Sequence, residues 1–209
     1  MTSGKQPSIW GIVLAAGASR RMGRQKLTLP LEDGRPMIRS VLEMAAASRL
    51  SRVVVVVSAD DEAVQDATNS EDGVWLQVMN PDSAAGMSTS IRTGILAAEA
   101  GGADAAVILL GDQPGVTHLH VNAVMDAYCS TQLAIVQASY DGTPSHPILF
   151  DRRLFDELLE VTGDEGGRKV VKRHQSERHL VSIEGDVPVD LDTPESYAAW
   201  LKHGGSSQT

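Results

Sequence analysis

Five consecutive valines, Val53 to Val57, constrain this chain more than any other feature. A strand with one solvent face alternates apolar and polar residues. An unbroken β-branched run suits a strand covered on both faces, as in a mostly parallel sheet flanked by helices. Similar short runs recur at Ile9–Ala15, Arg52–Ser58, Trp75–Asn80, Ala105–Leu110 and Leu133–Ala138. Segments of helical spacing separate them at Pro36–Ala47, Asp61–Thr68, Met87–Ala100 and Thr117–Thr131. This alternation predicts right-handed βαβ crossovers and an α/β fold, a Rossmann-like three-layer α/β/α sandwich with a mostly parallel central sheet. After about residue 140 the pattern loosens. Tyr140–Pro144 reads as a turn, His146–Phe150 and His179–Glu184 as strands, and Arg153–Val161 and Gly166–His174 as helices. Asp192-Thr193-Pro194-Glu195 reads as a helix start, with Pro at the first turn.

In open parallel sheets, ligands bind beyond the carboxyl ends of the strands. Three loops follow predicted strands at that end: Gly17–Lys26, Asn80–Ser90 and Gly111–Pro114. The first continues Leu14-Ala15-Ala16-Gly17 into Ser19, Arg20, Arg21, Met22, Gly23, Arg24 and Lys26. Small residues let backbone N–H groups approach a polyphosphate, and cations neutralise it. A plain turn with solvated arginines explains Gly17 and one or two cations. It does not explain four cations in seven residues within a chain of net charge −9. The loop lacks the Gly-Lys-Ser/Thr of a P-loop and the three glycines of a dinucleotide fingerprint. Arg21 and Lys26 are the candidates for phosphate contact, and Arg20 and Arg24 suit solvent.

The other motifs each carry two readings. Asp112, in Gly111-Asp112-Gln113-Pro114, is either a turn cap or, beside a triphosphate, a ligand for Mg²⁺. Asp190 and Asp192 could supply a second carboxylate, and Asp192 also suits a helix cap. The hydroxyls of Gly86-Met87-Ser88-Thr89-Ser90 are helix caps or lie where a helix N-terminus meets an anion or a base edge. His146 alone reads as structural, whereas Gly166-Gly167 ahead of Arg168 suits an anion nest. Cys129 reads as inert, Trp75 and Trp200 as packing residues. His118, His120, His174 and His179 lack metal-ligand spacing.

Composition narrows the class. The negative charge opposes a nucleic-acid or membrane-surface partner, and no apolar stretch is long enough to span a bilayer. The first residues contain no apolar signal segment, and the single cysteine excludes an intrachain disulfide. A cytoplasmic enzyme is expected. The 209 residues show no repeat or linker. Residues 1–203 are therefore expected to form one domain, with a flexible tail at 204–209.

Together these motifs resemble the MobA-like NTP-transferase family, in particular its molybdenum cofactor cytidylyltransferase branch. The resemblance rests on Leu14-Ala15-Ala16-Gly17 with Ser19, Arg21, Met22, Gly23 and Lys26, on Asn80-Pro81 and on Gly86-Met87-Ser88-Thr89-Ser90. It continues through Gly111–Pro114, Pro144-Ser145-His146-Pro147, Gly163–Arg168 and Asp190–Pro194. It implies a nucleotide-diphospho-sugar-transferase-like fold, with a nucleotide-binding half over about 8–115 and an acceptor-binding half over about 116–203. It further implies that Leu14, Ala15, Ala16, Gly17 and Ser19 meet the nucleoside with help from Gly86 and Ser90, and that Arg21 and Lys26 hold the triphosphate. Asp112 and Asp192 would ligate Mg²⁺, with Mn²⁺ as a substitute and Asp190 as a further acid. His146, Gly166, Arg168 and Asp190 would face a pterin-phosphate acceptor. Ala15-Ala16-Gly17 is similar to the cytidylyl branch, where guanylyl enzymes read Ala-Gly-Gly, so CTP is the expected donor. A molybdenum hydroxylase or its insertion chaperone would be the protein partner. The alternatives are a guanylyltransferase of the same cofactor, a methylerythritol-phosphate cytidylyltransferase, and a non-catalytic nucleotide-binding accessory protein.

Overall fold

The computed structural model describes residues 6–164 and 166–202, except for the side chain of Arg20. The expected tail at 204–209 and Glu165 of the Gly163–Arg168 loop lie outside the described residues. Seven strands form one sheet in the order β3-β2-β1-β4-β6-β5-β7. The first four are β1 (Ile9–Ala15), β2 (Arg52–Ser58), β3 (Leu76–Asn80) and β4 (Ala105–Leu110), all mutually parallel. Helices α1 (Met37–Ala46), α2 (Glu62–Ala67) and α3 (Met87–Ala100) make the crossovers between them. After α4 (His118–Thr131) come β5 (Ile135–Tyr140) and β6 (Thr143–Asp151), then α5 (Phe155–Leu159), α6 (Arg168–Arg173), β7 (Arg178–Ile183) and α7 (Pro194–Lys202). Only β6 runs against its neighbours, β4 and β5.

The valine run behaves as its composition demands. Val53, Val55 and Val57 join one core, with Val41 and Leu42 of α1 and Val121 and Val124 of α4. Val54 and Val56 face the other, with Ile91 and Ile95 of α3, Phe155 of α5 and Val170 of α6. Burying each such side chain is worth about 1.5–3 kcal/mol, so the central strands anchor both layers. Helix α3 comes close to the sheet at Gly94, where an added Cβ would lie 2.3 Å from Ile12 Cγ2. Because α3 follows parallel strand β3, it starts at the carboxyl edge of the sheet.

The less regular half departs from expectation in its boundaries. The turn is only Asp141-Gly142, with φ of 46° and 83°, the left-handed pair of a tight two-residue hairpin. Thr143 and Pro144 therefore already belong to β6. The strand tolerates Pro144 because it pairs with Ser139 where the β5–β6 register shifts. Pairing with β4 covers only Ile148 to Asp151, beyond Pro144 and Pro147. The helix expected over Arg153–Val161 is shorter, a 3₁₀ turn at Arg152–Leu154 leading into α5. Among the described residues, no helix is long and apolar enough to cross a membrane.

Candidate active site

Because β1 to β4 are parallel, the loops that follow them open at one edge of the sheet, around a cleft of about 730 Å³. The loop after β1 turns back through left-handed Ser19 (φ 47°), a 3₁₀ turn at Arg20–Met22 and left-handed Gly23 (φ 66°). Met22 and Leu27 anchor it in the core. Between these anchors Lys26 enters the cleft only 7% exposed. Its ammonium is ion-paired to both Asp112 and Asp192. Burial alone would lower its pKa, but the charges and hydrogen bonds of the two carboxylates outweigh burial and raise it. Arg21 Nη1 reaches Asp192 Oδ2 at 2.9 Å.

Neither aspartate is used as a cap. Asp112 follows β4 directly, while Thr117 caps α4, its Oγ1 accepting from the His120 amide. At α7 the cap is Thr193, whose Oγ1 accepts from the Ser196 amide at 3.2 Å. Asp192 is thereby free to face Lys26. The Leu191 amide donates to the Asp112 carbonyl at 3.0 Å and holds Asp112, past the end of β4, beside Asp192, ahead of α7. Asp190 turns to Gln113, whose Nε2 donates to it at 2.7 Å. Partial burial, then the Asp112 and Asp192 charges, raise the Asp190 pKa against the opposing pull of Gln113 and Lys26. Two carboxylates converging on one cation match what Mg²⁺ or Mn²⁺ asks of a protein when phosphate oxygens and water complete its shell. No group of three or more His, Cys, Asp and Glu forms a metal cage among the described residues.

The nucleoside candidates lie along the same cleft. Leu14, Ala16, Gly17 and Ser19 line it, whereas Ala15 is buried in the core beneath. Gly86 and Ser90 line it from the start of α3. The hydroxyls there do not cap the helix, contrary to the simplest sequence reading. The Ser88 amide donates to the Gly163 carbonyl at 3.0 Å, and the Met87 amide to Asp164 Oδ1 at 3.3 Å. That close approach requires glycine at 86, where φ is 108° and a Cβ would lie 2.6 Å from Asp164 Oδ1. Ser90 Oγ instead accepts from buried Asn80 Nδ2 at 3.1 Å.

The acceptor candidates are dispersed. His146, Gly166 and Arg168 do not line the cleft, although Asp164 from the same loop does. Desolvation, reinforced by the nearby Arg168 charge, pushes the His146 pKa down to about 4, so the imidazole is neutral at pH 7. Gly166 packs under Met87, where a Cβ would sit 2.9 Å from Sδ. Sequence reasoning passed over Ser58, Asp60 and Asp61, which line the cleft after β2. The strand-end position that singled out Asp112 would have found them too.

Residues 11–179 match the family model of the MobA-like NTP transferase domain. The chain belongs to that family. It is accordingly an enzyme of the nucleotidyltransferase type, built on a nucleotide-binding Rossmann-like fold. It is 34% identical to the purine catabolism protein PucB of Bacillus subtilis, over 92% of this chain and 96% of the relative. It is 24% identical to the molybdenum cofactor cytidylyltransferase of Escherichia coli, over 89% and 92% respectively. The structure of Rv0371c from Mycobacterium tuberculosis, solved as a complex with manganese, matches with a TM-score of 0.78. The two are 30% identical, over 93% of this chain and 98% of that one.

Proposed function

We propose that this chain transfers CMP from CTP to the terminal phosphate of a molybdenum-bearing pterin, releasing pyrophosphate. The observation that carries the reading is Lys26, buried at the cleft and ion-paired to Asp112 and Asp192. Lys26 would meet the α-phosphate and Arg21 the outer phosphates, with Leu14, Ala16 and Gly17 against base and ribose. Held in this way, the triphosphate presents its α-phosphorus in line with an acceptor oxygen. The new O–P bond forms as the bridge to the β-phosphate breaks, and its electron pair leaves with pyrophosphate. The acceptor phosphate is anionic at pH 7, so the chain need not supply a general base. Asp112 and Asp192 would hold Mg²⁺ or Mn²⁺, which when bound neutralises phosphate charge as a Lewis acid. The choice of CTP is supported by Ala15-Ala16-Gly17 and by the Escherichia coli relative's cytidylyl name. The product would pass to a molybdenum hydroxylase or its insertion chaperone.

A thermal-shift panel of CTP, GTP, ATP and UTP with Mg²⁺ tests the donor, because a ligand that binds the folded state raises the melting temperature. CTP is expected to give the largest rise. A rise with GTP alone would overturn the cytidylyl reading.

A further inference from the structure

Gln25 precedes Lys26 and has no part in the chemistry above, yet its side-chain amide makes three directed hydrogen bonds. Oε1 accepts from Ser19 Oγ at 2.7 Å and from the Leu27 amide at 3.1 Å, while Nε2 donates to Asp61 Oδ2. Only this orientation satisfies all three partners. Turned over, the amide would set its NH₂ against the Leu27 N–H and its oxygen against a carboxylate. Ser19 Oγ also accepts from the Lys26 amide at 3.2 Å, which closes the turn into a ring around the residue that bears the cation. The anchor at the far end is itself held, since Asp61 Oδ1 caps α2 by accepting from the Val64 amide at 3.1 Å. Gln25 thus joins two walls of the cleft, the loop after β1 and the turn after β2, whose Ser19 and Asp61 both line it.

We infer that Gln25 is a positioning residue that fixes the backbone beneath Lys26 for transfer at the α-phosphate. The inference rests on the nucleotidyl-transfer reading. The Lys26 side chain is long and meets Asp112 and Asp192 only at its ammonium, so its backbone must set where that ammonium can go. A misplacement of about 1 Å can cost a factor of about 10² in such an aligned reaction.

The polarity of the Gln25–Asp61 contact supplies the test. Gln25→Glu keeps the acceptor for Ser19 and Leu27 but turns a carboxylate oxygen towards Asp61. Gln25→Glu with Asp61→Asn restores a donor–acceptor pair of reversed polarity, and Asn still caps a helix. Two readouts are taken on the full chain: pyrophosphate release from CTP and acceptor, and hydrogen exchange of the Lys26 and Leu27 amides without substrate. Gln25→Glu is expected to lower kcat by about tenfold to a hundredfold and to speed exchange at both amides, while the chain still unfolds in one cooperative transition. The double variant is expected to return to within about threefold of the unsubstituted chain in kcat, with exchange restored. Unaltered exchange and turnover in Gln25→Glu, or a double variant no better than the single one, would overturn the inference. A chain that releases no pyrophosphate in its unsubstituted form would overturn the functional reading instead, and the exchange data would still decide the positioning role.

Discussion

Lys26 sets the charge balance of the cleft, and substitution there has two separable consequences. On the proposed reading Lys26→Ala removes a cation from the transferring phosphate and is expected to lower kcat by roughly 10²–10³, as loss of other transition-state donors does. An unchanged kcat would remove Lys26 from the mechanism. The same substitution leaves Asp112 and Asp192 facing each other without the ammonium they share, with only Arg21 still paired to Asp192. Mn²⁺ binding to the free protein, followed by electron paramagnetic resonance, is therefore expected to tighten while turnover falls. Asp112→Asn works in the opposite sense and is expected to weaken metal-dependent turnover; equal rates with and without Mg²⁺ would contradict its role. That Arg21, Lys26, Asp112 and Asp192 could meet in one cleft was legible in the sequence, because Arg21, Lys26 and Asp112 follow predicted strands and Asp192 opens the predicted helix at Pro194. Gln25 and Asp164 were not, since each acts through a partner distant in the chain. Gln25 meets Asp61 across 36 positions, and Asp164 meets the Met87 amide across 77. No local pattern records such pairings.

Among the elements, α3 and α5 carry the most informative tests. Gly94→Ala gains about 1 kcal/mol of helix propensity but forces a Cβ against Ile12, and overpacking of this kind costs about 1–3 kcal/mol. A net loss of stability in urea unfolding is expected. His174 links α5 to the turn before β7, with Nε2 2.7 Å from Glu157 and Nδ1 3.1 Å from Glu177. Hydrogen bonds to Glu177 and Glu157 raise its pKa above the ordinary 6.5. The protonated ring therefore contributes stability that is fully present below about pH 6.5 and is lost as pH rises through the raised value. The melting temperature of His174→Gln is expected to lie furthest below that of the unsubstituted chain near pH 6 and to converge with it at alkaline pH. A pH-independent gap would contradict this. The long strands and helices were legible from periodicity. The helices at α5 and α6 were expected too, but their short extents and the early start of β6 were not, because helices of five or six residues carry little periodic signal and Pro144 reads locally as a turn.

At the scale of the molecule, a chain of net charge −9 must bind a polyanion against its own field. The sheet resolves this by gathering Arg21 and Lys26 at the one edge where four parallel strands end, beside acids suited to a divalent ion. Nucleotide binding should therefore depend strongly on divalent ion. That a cleft would open at this edge was readable from strand order alone, whereas which loops of the second half face it was not. His146 and Arg168 lie in the half where β6 reverses direction, and loop shape decides what faces the cleft. Incubating the chain with CTP, Mg²⁺ and the molybdenum-bearing pterin, and measuring CMP-linked pterin and pyrophosphate together, tests the proposed transfer itself. Equimolar formation of both, faster with CTP than with GTP, is the expected result. Transfer from GTP in preference, or CTP bound without pyrophosphate release, would contradict it.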